Sequence, residues 1–152
     1  MTNHHRAPGE RTGRTGNAVG PAVCLLPGDL TWSPKPAVHG LETAVLVGDP
    51  SGSGMYAERI RMPAKIRLAP HSHRDQVRMV TVLSGTLYFA FGEVFDESKL
   101  KPLPAGTFFV EPQGLAHYAL TKDEVVLQLD AIGPTGTTYV EATKGERGMR
   151  AS

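Results

Sequence analysis

The chain has 152 residues, 40% of them hydrophobic and 20% charged, with a formal net charge of +1. That is one domain's worth of sequence and enough to bury a core without disulfide staples. So small a net charge gives no electrostatic reason to expect nucleic acid or an anionic membrane as partner. The single cysteine, Cys24, excludes an intramolecular disulfide and a thiolate metal cluster; it reads as a small buried apolar residue. No stretch has the apolar length of a membrane span or the pattern of a secretory signal, so a cytoplasmic location is expected.

Residues 1–20 are rich in Gly, Arg, Thr and Asn with almost no large apolar side chains. They read as a flexible tail that carries the solvated pair His4 and His5. Residues 144–152 read the same way, which leaves one domain over 21–143. Within it, short β-branched, aromatic or alternating runs predict strands at 44–49, 55–62, 79–85, 86–92, 106–112 and 125–133. Gly and Pro punctuate them at Asp49-Pro50-Ser51-Gly52, Ala69-Pro70, Ser84-Gly85, Pro102 to Gly106 and Gly133-Pro134. Only 93–103 offers a short helical turn. Many short strands with regular turns predict an all-β sandwich or barrel.

Parity along the strands sorts inner from outer positions. Val80 and Val82 share the face of Arg78 and line the interior, while Met79, Thr81 and Leu83 give that strand an apolar outer face. Such a face is often covered by a second subunit, so a homodimer is expected. Tyr56, Glu58, Ile60 and Met62 share an inward face, with Arg59 and Arg61 outward. Trp32 is expected at the barrel edge or in a dimer interface, and His39 at the surface. Gly85 is expected to allow a tight hairpin between its flanking strands.

His71-Ser72-His73 is the tripeptide that suggests chemistry. Residues i and i+2 of a strand project from one face, so both imidazoles can meet one ion. Histidine suits iron, zinc, nickel and manganese alike.

The stretch from Met62 to Gly85 resembles the first motif of the cupin superfamily, and Gly106 to His117 resembles the second: glycine, five residues, Pro112-x-Gly114, two residues, histidine. The asparagine that usually follows is replaced by Thr121. The resemblance spans roughly residues 40–135 and implies a cupin-type jelly-roll β-barrel. It further implies that His71, His73 and His117 converge on one divalent metal, in a site left open for a small molecule.

The resemblance also marks a departure. The first motif normally supplies a glutamate ligand, and its position, seven residues before Gly85, is Arg78 here. Arginine has no acceptor and stays protonated, so it is no ligand. A +1 and a +2 charge about 5 Å apart repel by roughly 7 kcal/mol at an effective dielectric of 20. Arg78 must therefore either turn away to an acidic neighbour or face an anion held between it and the metal. Asp75 and Gln76 are the nearby polar alternatives.

Three histidines without the glutamate imply a more positive and more open site, suited to an anionic or enolisable substrate. Such three-histidine iron sites are similar to those of cupin dioxygenases acting on thiols and diketones. The expected function is thus a metal-dependent enzyme acting on a small oxygenated molecule. Fe(II) and a dioxygenase reaction lead; a Zn(II), Ni(II) or Mn(II) isomerase or cyclase is the alternative, and a non-enzymatic ligand-binding cupin the third reading. Arg78 is the expected catalytic anion anchor, with Gln76 and Gln128 as further substrate contacts. Glu58, Glu111 and Asp130 are carboxylates without an assigned role.

Overall fold

Strand alternation decides the architecture. In the computed structural model, which describes residues 22–141, eleven strands follow one another: β1 (Ser33–Pro34), β2 (Glu42–Val47), β3 (Met55–Met62), β4 (Arg67–His73), β5 (Val77–Ser84), β6 (Thr86–Phe91), β7 (Lys101–Pro104), β8 (Phe108–Pro112), β9 (His117–Thr121), β10 (Val125–Ile132) and β11 (Thr137–Tyr139). Short 3₁₀ turns at Pro27–Asp29 and Glu97–Lys99 are the only helical elements among the described residues. The second falls in the segment expected to hold one. The expected tails, with His4 and His5, lie outside the described residues. No helix among the described residues is long and apolar enough to cross a membrane.

The strands form two antiparallel sheets, ordered β1-β2-β3-β10-β5-β8 and β11-β4-β9-β6-β7. Their inner faces enclose the core, as the jelly-roll reading expects. β10 lies between β3 and β5 because its alternate residues Val125, Leu127, Leu129 and Ala131 are all apolar and all buried. Val80 and Val82 of β5 meet them, with Leu87 and Phe89 of β6 from the opposite sheet. Arg61 points outward as expected, where it bonds Glu42 at 2.7 Å and lies 4.2 Å over the ring of Trp32.

Two local details set up the site. The register of β4 against β9 shifts between Leu68 and His71. Leu68 and His71 are three residues apart, so regular alternation would send them to opposite faces; the irregularity lets both face inward. At Gly85 the backbone has φ of +74°, and a Cβ there would collide with the carbonyl oxygen of Glu124. This glycine does not close a hairpin, contrary to the sequence expectation: β5 and β6 belong to different sheets. It turns the chain from one sheet into the other.

Cys24 corrects a second expectation, being exposed. It belongs to an extended segment ahead of the sandwich, where Val23 and Leu26 are also exposed. No sheet covers that segment, so small apolar character alone does not bury it.

Candidate metal centre

The three histidines come from two neighbouring strands. His71 and His117 are directly opposed partners of β4 and β9, with ring centroids 4.5 Å apart. His73 is two residues along β4, 5.0 Å from His71 and 5.2 Å from His117 by ring centroid. The loop that carries His117 is tied to β4 directly, since the Gly114 N–H donates to the His73 carbonyl at 2.9 Å. Gly114 has φ of +72°, a conformation that favours glycine. Phe89 stacks against the His117 ring at 5.4 Å and restrains its tilt.

Hydrogen bonds decide which ring nitrogen is free. His71 Nδ1 lies 2.7 Å from the Ala69 carbonyl oxygen, His117 Nδ1 3.2 Å from that of Leu115, and His73 Nδ1 3.3 Å from that of Gly136. A carbonyl oxygen only accepts, so the Nδ1 atoms of His71 and His117 carry the proton and their Nε2 atoms keep the lone pair; His73 Nδ1 also lies 3.2 Å from the Thr137 hydroxyl, which can accept from it or donate to it. Burial also pushes all three imidazoles below the usual histidine pKa, and His73, with the Arg78 charge beside it, falls to about 3. They are neutral at pH 7. One nitrogen from each lies within 4.8 Å of the others. Three neutral imidazoles with oriented tautomers and converging lone pairs fit a divalent metal of the histidine-accepting kind.

Arg78 sits on the inner face of β5 and is 6% exposed. Its Nε donates to Glu111 Oε2 at 2.7 Å, and Nη1 lies 3.4 Å from Asp75 Oδ2. Asp75 is fully buried and accepts from the Tyr56 hydroxyl at 2.6 Å and from the Thr135 hydroxyl at 3.2 Å. Glu111 is the residue sequence reasoning left without a role. It opposes Arg78 across the β5–β8 register. Its Oε1 is 3.5 Å from His117 Nε2 and its Oε2 3.8 Å from His73 Nε2. Burial alone would raise its carboxyl pKa, but the Arg78 guanidinium holds it below the ordinary value.

Arg78 thus does not turn away: it faces inward and meets an acidic neighbour, Glu111, that itself lies beside His73 and His117. The expectation of a more positive site is corrected. Glu111 supplies a buried carboxylate from the adjacent strand, and Arg78, which also lines the pocket, is paired with it.

The histidines open onto a pocket of about 270 Å³ whose walls include Leu41, Ile60, Met62, Leu87 and Leu127. Glu58 of β3 also lines it, beside Lys35. Glu58 is 4% exposed, and burial raises its carboxyl pKa. Neither Gln76 nor Gln128 lines the pocket, which corrects their expected role. Gln76 is exposed in the turn before β5. Gln128 alternates with the inward apolar residues of β10, so it faces outward and bonds Arg59 at 3.1 Å and Asp130 at 3.4 Å.

No family model matches the chain. Among curated proteins, a putative germin-like protein 2-1 of rice, Oryza sativa subsp. japonica, is 37% identical over 84 residues, covering 51% of this chain and 39% of the relative. The chain therefore spans about two fifths of that relative's length. Among solved structures, an RmlC-like cupin from Shewanella frigidimarina superposes with a TM-score of 0.57 at 18% identity, covering 71% of this chain and 87% of the other. The chain has a cupin-type fold. The polyketide cyclase RemF from Streptomyces resistomycificus gives a TM-score of 0.64 at 15% identity, covering 80% and 87% of the two chains. Salicylate 1,2-dioxygenase from Pseudoaminobacter salicylatoxidans gives 0.56 at 16%, covering 72% of this chain and 31% of the dioxygenase. At such identities the likeness concerns the barrel, and the reaction must be argued from the site.

Proposed function

We propose that the protein is a metal-dependent enzyme acting on a small oxygenated organic molecule, with His71, His73 and His117 holding one divalent ion and O₂-dependent cleavage at Fe(II) as the leading reaction. The observation that carries this reading is the convergence of three neutral imidazoles at an apolar pocket. A bound ion of this kind supplies Lewis acidity toward substrate oxygens and, as iron, activation of O₂.

The chain's own residues do the rest. The aliphatic walls hold the carbon skeleton and exclude water, which strengthens polar interactions within the pocket. Glu58 is the group suited to carry a proton. Its raised pKa lets a carboxyl oxygen act as acid or base nearer neutrality than an exposed glutamate. The Nδ1 bonds to backbone carbonyls keep the imidazoles oriented through turnover. Because Arg78 is already matched by Glu111 and Asp75, the favoured substrate is enolisable or neutral rather than strongly anionic. The pocket carboxyl also favours a second reading, proton-transfer chemistry such as isomerisation or cyclisation at a non-redox metal. The barrel's likeness to a cyclase and to a dioxygenase accords with both reactions.

Metal analysis of tag-free protein is expected to find about one ion per chain, lost in His71→Ala. Oxygen uptake with Fe(II) against a panel of diketones, phenols and thiols then separates the readings. Turnover without oxygen uptake selects the isomerase or cyclase. Bound metal with ligand binding but no turnover selects a binding module. Absence of metal, with ligand binding unchanged in His71→Ala, overturns every metal-based reading.

The homodimer belongs to the same proposal. Phe108 and Val110 of β8 lie exposed on the outer face beside Thr81 and Met79 of β5. Sedimentation velocity is expected to give the mass of two chains for the wild type and of one chain for Phe108→Asp.

A further inference from the structure

The metal-site reading leaves one neighbouring carboxylate unexplained. Resting on that reading, we propose that Glu111 is a fourth ligand of the same ion, a carboxylate moved from β5 to the directly opposed position on β8, with Arg78 as its positioning residue.

Three observations converge. The first is register. The cupin pattern places its acidic ligand at position 78, and position 78 is paired with position 111 across β5 and β8. The two side chains therefore share one inner face, about 4.8 Å apart along the hydrogen-bonding direction. A glutamate at either position can reach the same space. The chain has exchanged the acid between partners and placed a cation where the acid usually stands.

The second is the polarity of the atoms that meet. His117 Nδ1 is committed to a carbonyl oxygen, so its Nε2 is a lone-pair acceptor; His73 Nε2 is one as well when its Nδ1 donates to the Gly136 carbonyl or the Thr137 hydroxyl. The Nε2 atoms of His73 and His117 face the Glu111 oxygens at 3.8 and 3.5 Å. Acceptors converging on acceptors repel unless a positive centre lies among them. Two atoms bound to one ion at about 2.1 Å each stand roughly 3–4 Å apart, the separation found here.

The third is how Glu111 is held. Arg78 Nε bonds Oε2 at 2.7 Å, while Oε1 is directed to His117. Arg78 is braced in turn by Asp75, and Asp75 by the hydroxyls of Tyr56 and Thr135. A chain of buried partners that orients a carboxylate beside imidazoles is the arrangement by which outer groups fix a metal ligand. The guanidinium is thereby held on the carboxylate it orients.

The test uses the full chain, loaded with Co(II) after chelation. Glu111→Gln keeps the shape and removes the charge; it is expected to weaken Co(II) binding by about tenfold or more and to change the visible absorption of the ion. Glu111→Asp tests reach with the charge kept, and the exchange Arg78→Glu with Glu111→Arg is expected to restore most of the affinity. The crystal structure of Co(II)-loaded wild-type protein reads the ligand set without any substitution, and Oε1 is expected at bonding distance. Water in that position, with Glu111 resting on Arg78 alone, overturns the proposal. So does a Glu111→Gln protein with wild-type affinity and spectrum. If His117→Ala still loses the metal in that case, Glu111 is an ion-pair partner only and the three-histidine site stands. If His117→Ala also binds Co(II) unchanged, the metal reading itself fails.

Discussion

Arg78→Met is expected to destabilise the metal-free protein by about 3–5 kcal/mol, the usual cost of removing one partner from a buried ion pair. It should be read as a lower urea midpoint at unchanged slope. Arg78 is almost wholly buried between Glu111 at 2.7 Å and Asp75 at 3.4 Å. Without it, two carboxylates remain in a space that desolvates them. They do not suffer equally. Asp75 keeps short hydrogen bonds from Tyr56 and Thr135, whereas Glu111 loses its one charged donor and faces imidazole lone pairs. Most of the cost is therefore assigned to Glu111. Arg78→Met combined with Glu111→Met should recover most of the loss, because replacing both members of a buried pair by apolar groups of similar size is often near neutral. A loss below about 1 kcal/mol in Arg78→Met, the range of an exposed pair, would show that water reaches the pair.

The same pair marks the boundary of what the sequence could tell. The barrel was legible because strand period, turn residues and two cupin-like motifs all pointed the same way. Val80, Val82, Ile60 and Met62 face inward as their parity demands, and the three histidines are brought together. Some misses were local. β1, β7 and β11 are short and paired at sheet edges, with Pro34, Pro102 and Pro104 among their residues, and carry little apolar alternation of their own.

Other misses concern partners rather than pattern. Glu111 was visible as a charge in an otherwise apolar stretch, Phe108-Phe109-Val110, on the same face as Phe109. Its meaning depends on which residue lies opposite, and cross-strand register is not written along one strand. An unpaired Arg78 at an inward position was the available signal, since a buried cation demands an acid somewhere. Gln128 is a different case. Its outward direction follows from the unbroken apolar set Val125, Leu127, Leu129 and Ala131, so the sequence already contained the evidence against a cavity role.

Acidification of the metal-free protein is the other large expected effect. Burial holds His71, His73 and His117 below the ordinary histidine pKa of about 6.5, with His73 down to about 3. A group depressed in this way stabilises the fold above its unfolded pKa, and that stability is lost as pH falls from there through the folded pKa. Between those limits the unfolded chain binds a proton that the folded chain refuses. The loss is roughly 1.4 kcal/mol per pH unit for His73, whose pKa falls to about 3, and His71 and His117 add to it in the same direction. Glu111, also depressed, adds to the loss only below its ordinary value of 4.5. Glu58 opposes it: its carboxyl pKa is raised, so protonation on the way down to 4.5 relieves a buried charge. One carboxyl relieved against three imidazoles charged leaves the balance on the side of destabilisation. Urea midpoints of chelated protein should therefore decline steadily from pH 7 to pH 5, and a flat profile would contradict the neutral, desolvated histidines. Protein reloaded with metal should start higher and fall more steeply, since protons and the ion compete for the same three Nε2 lone pairs.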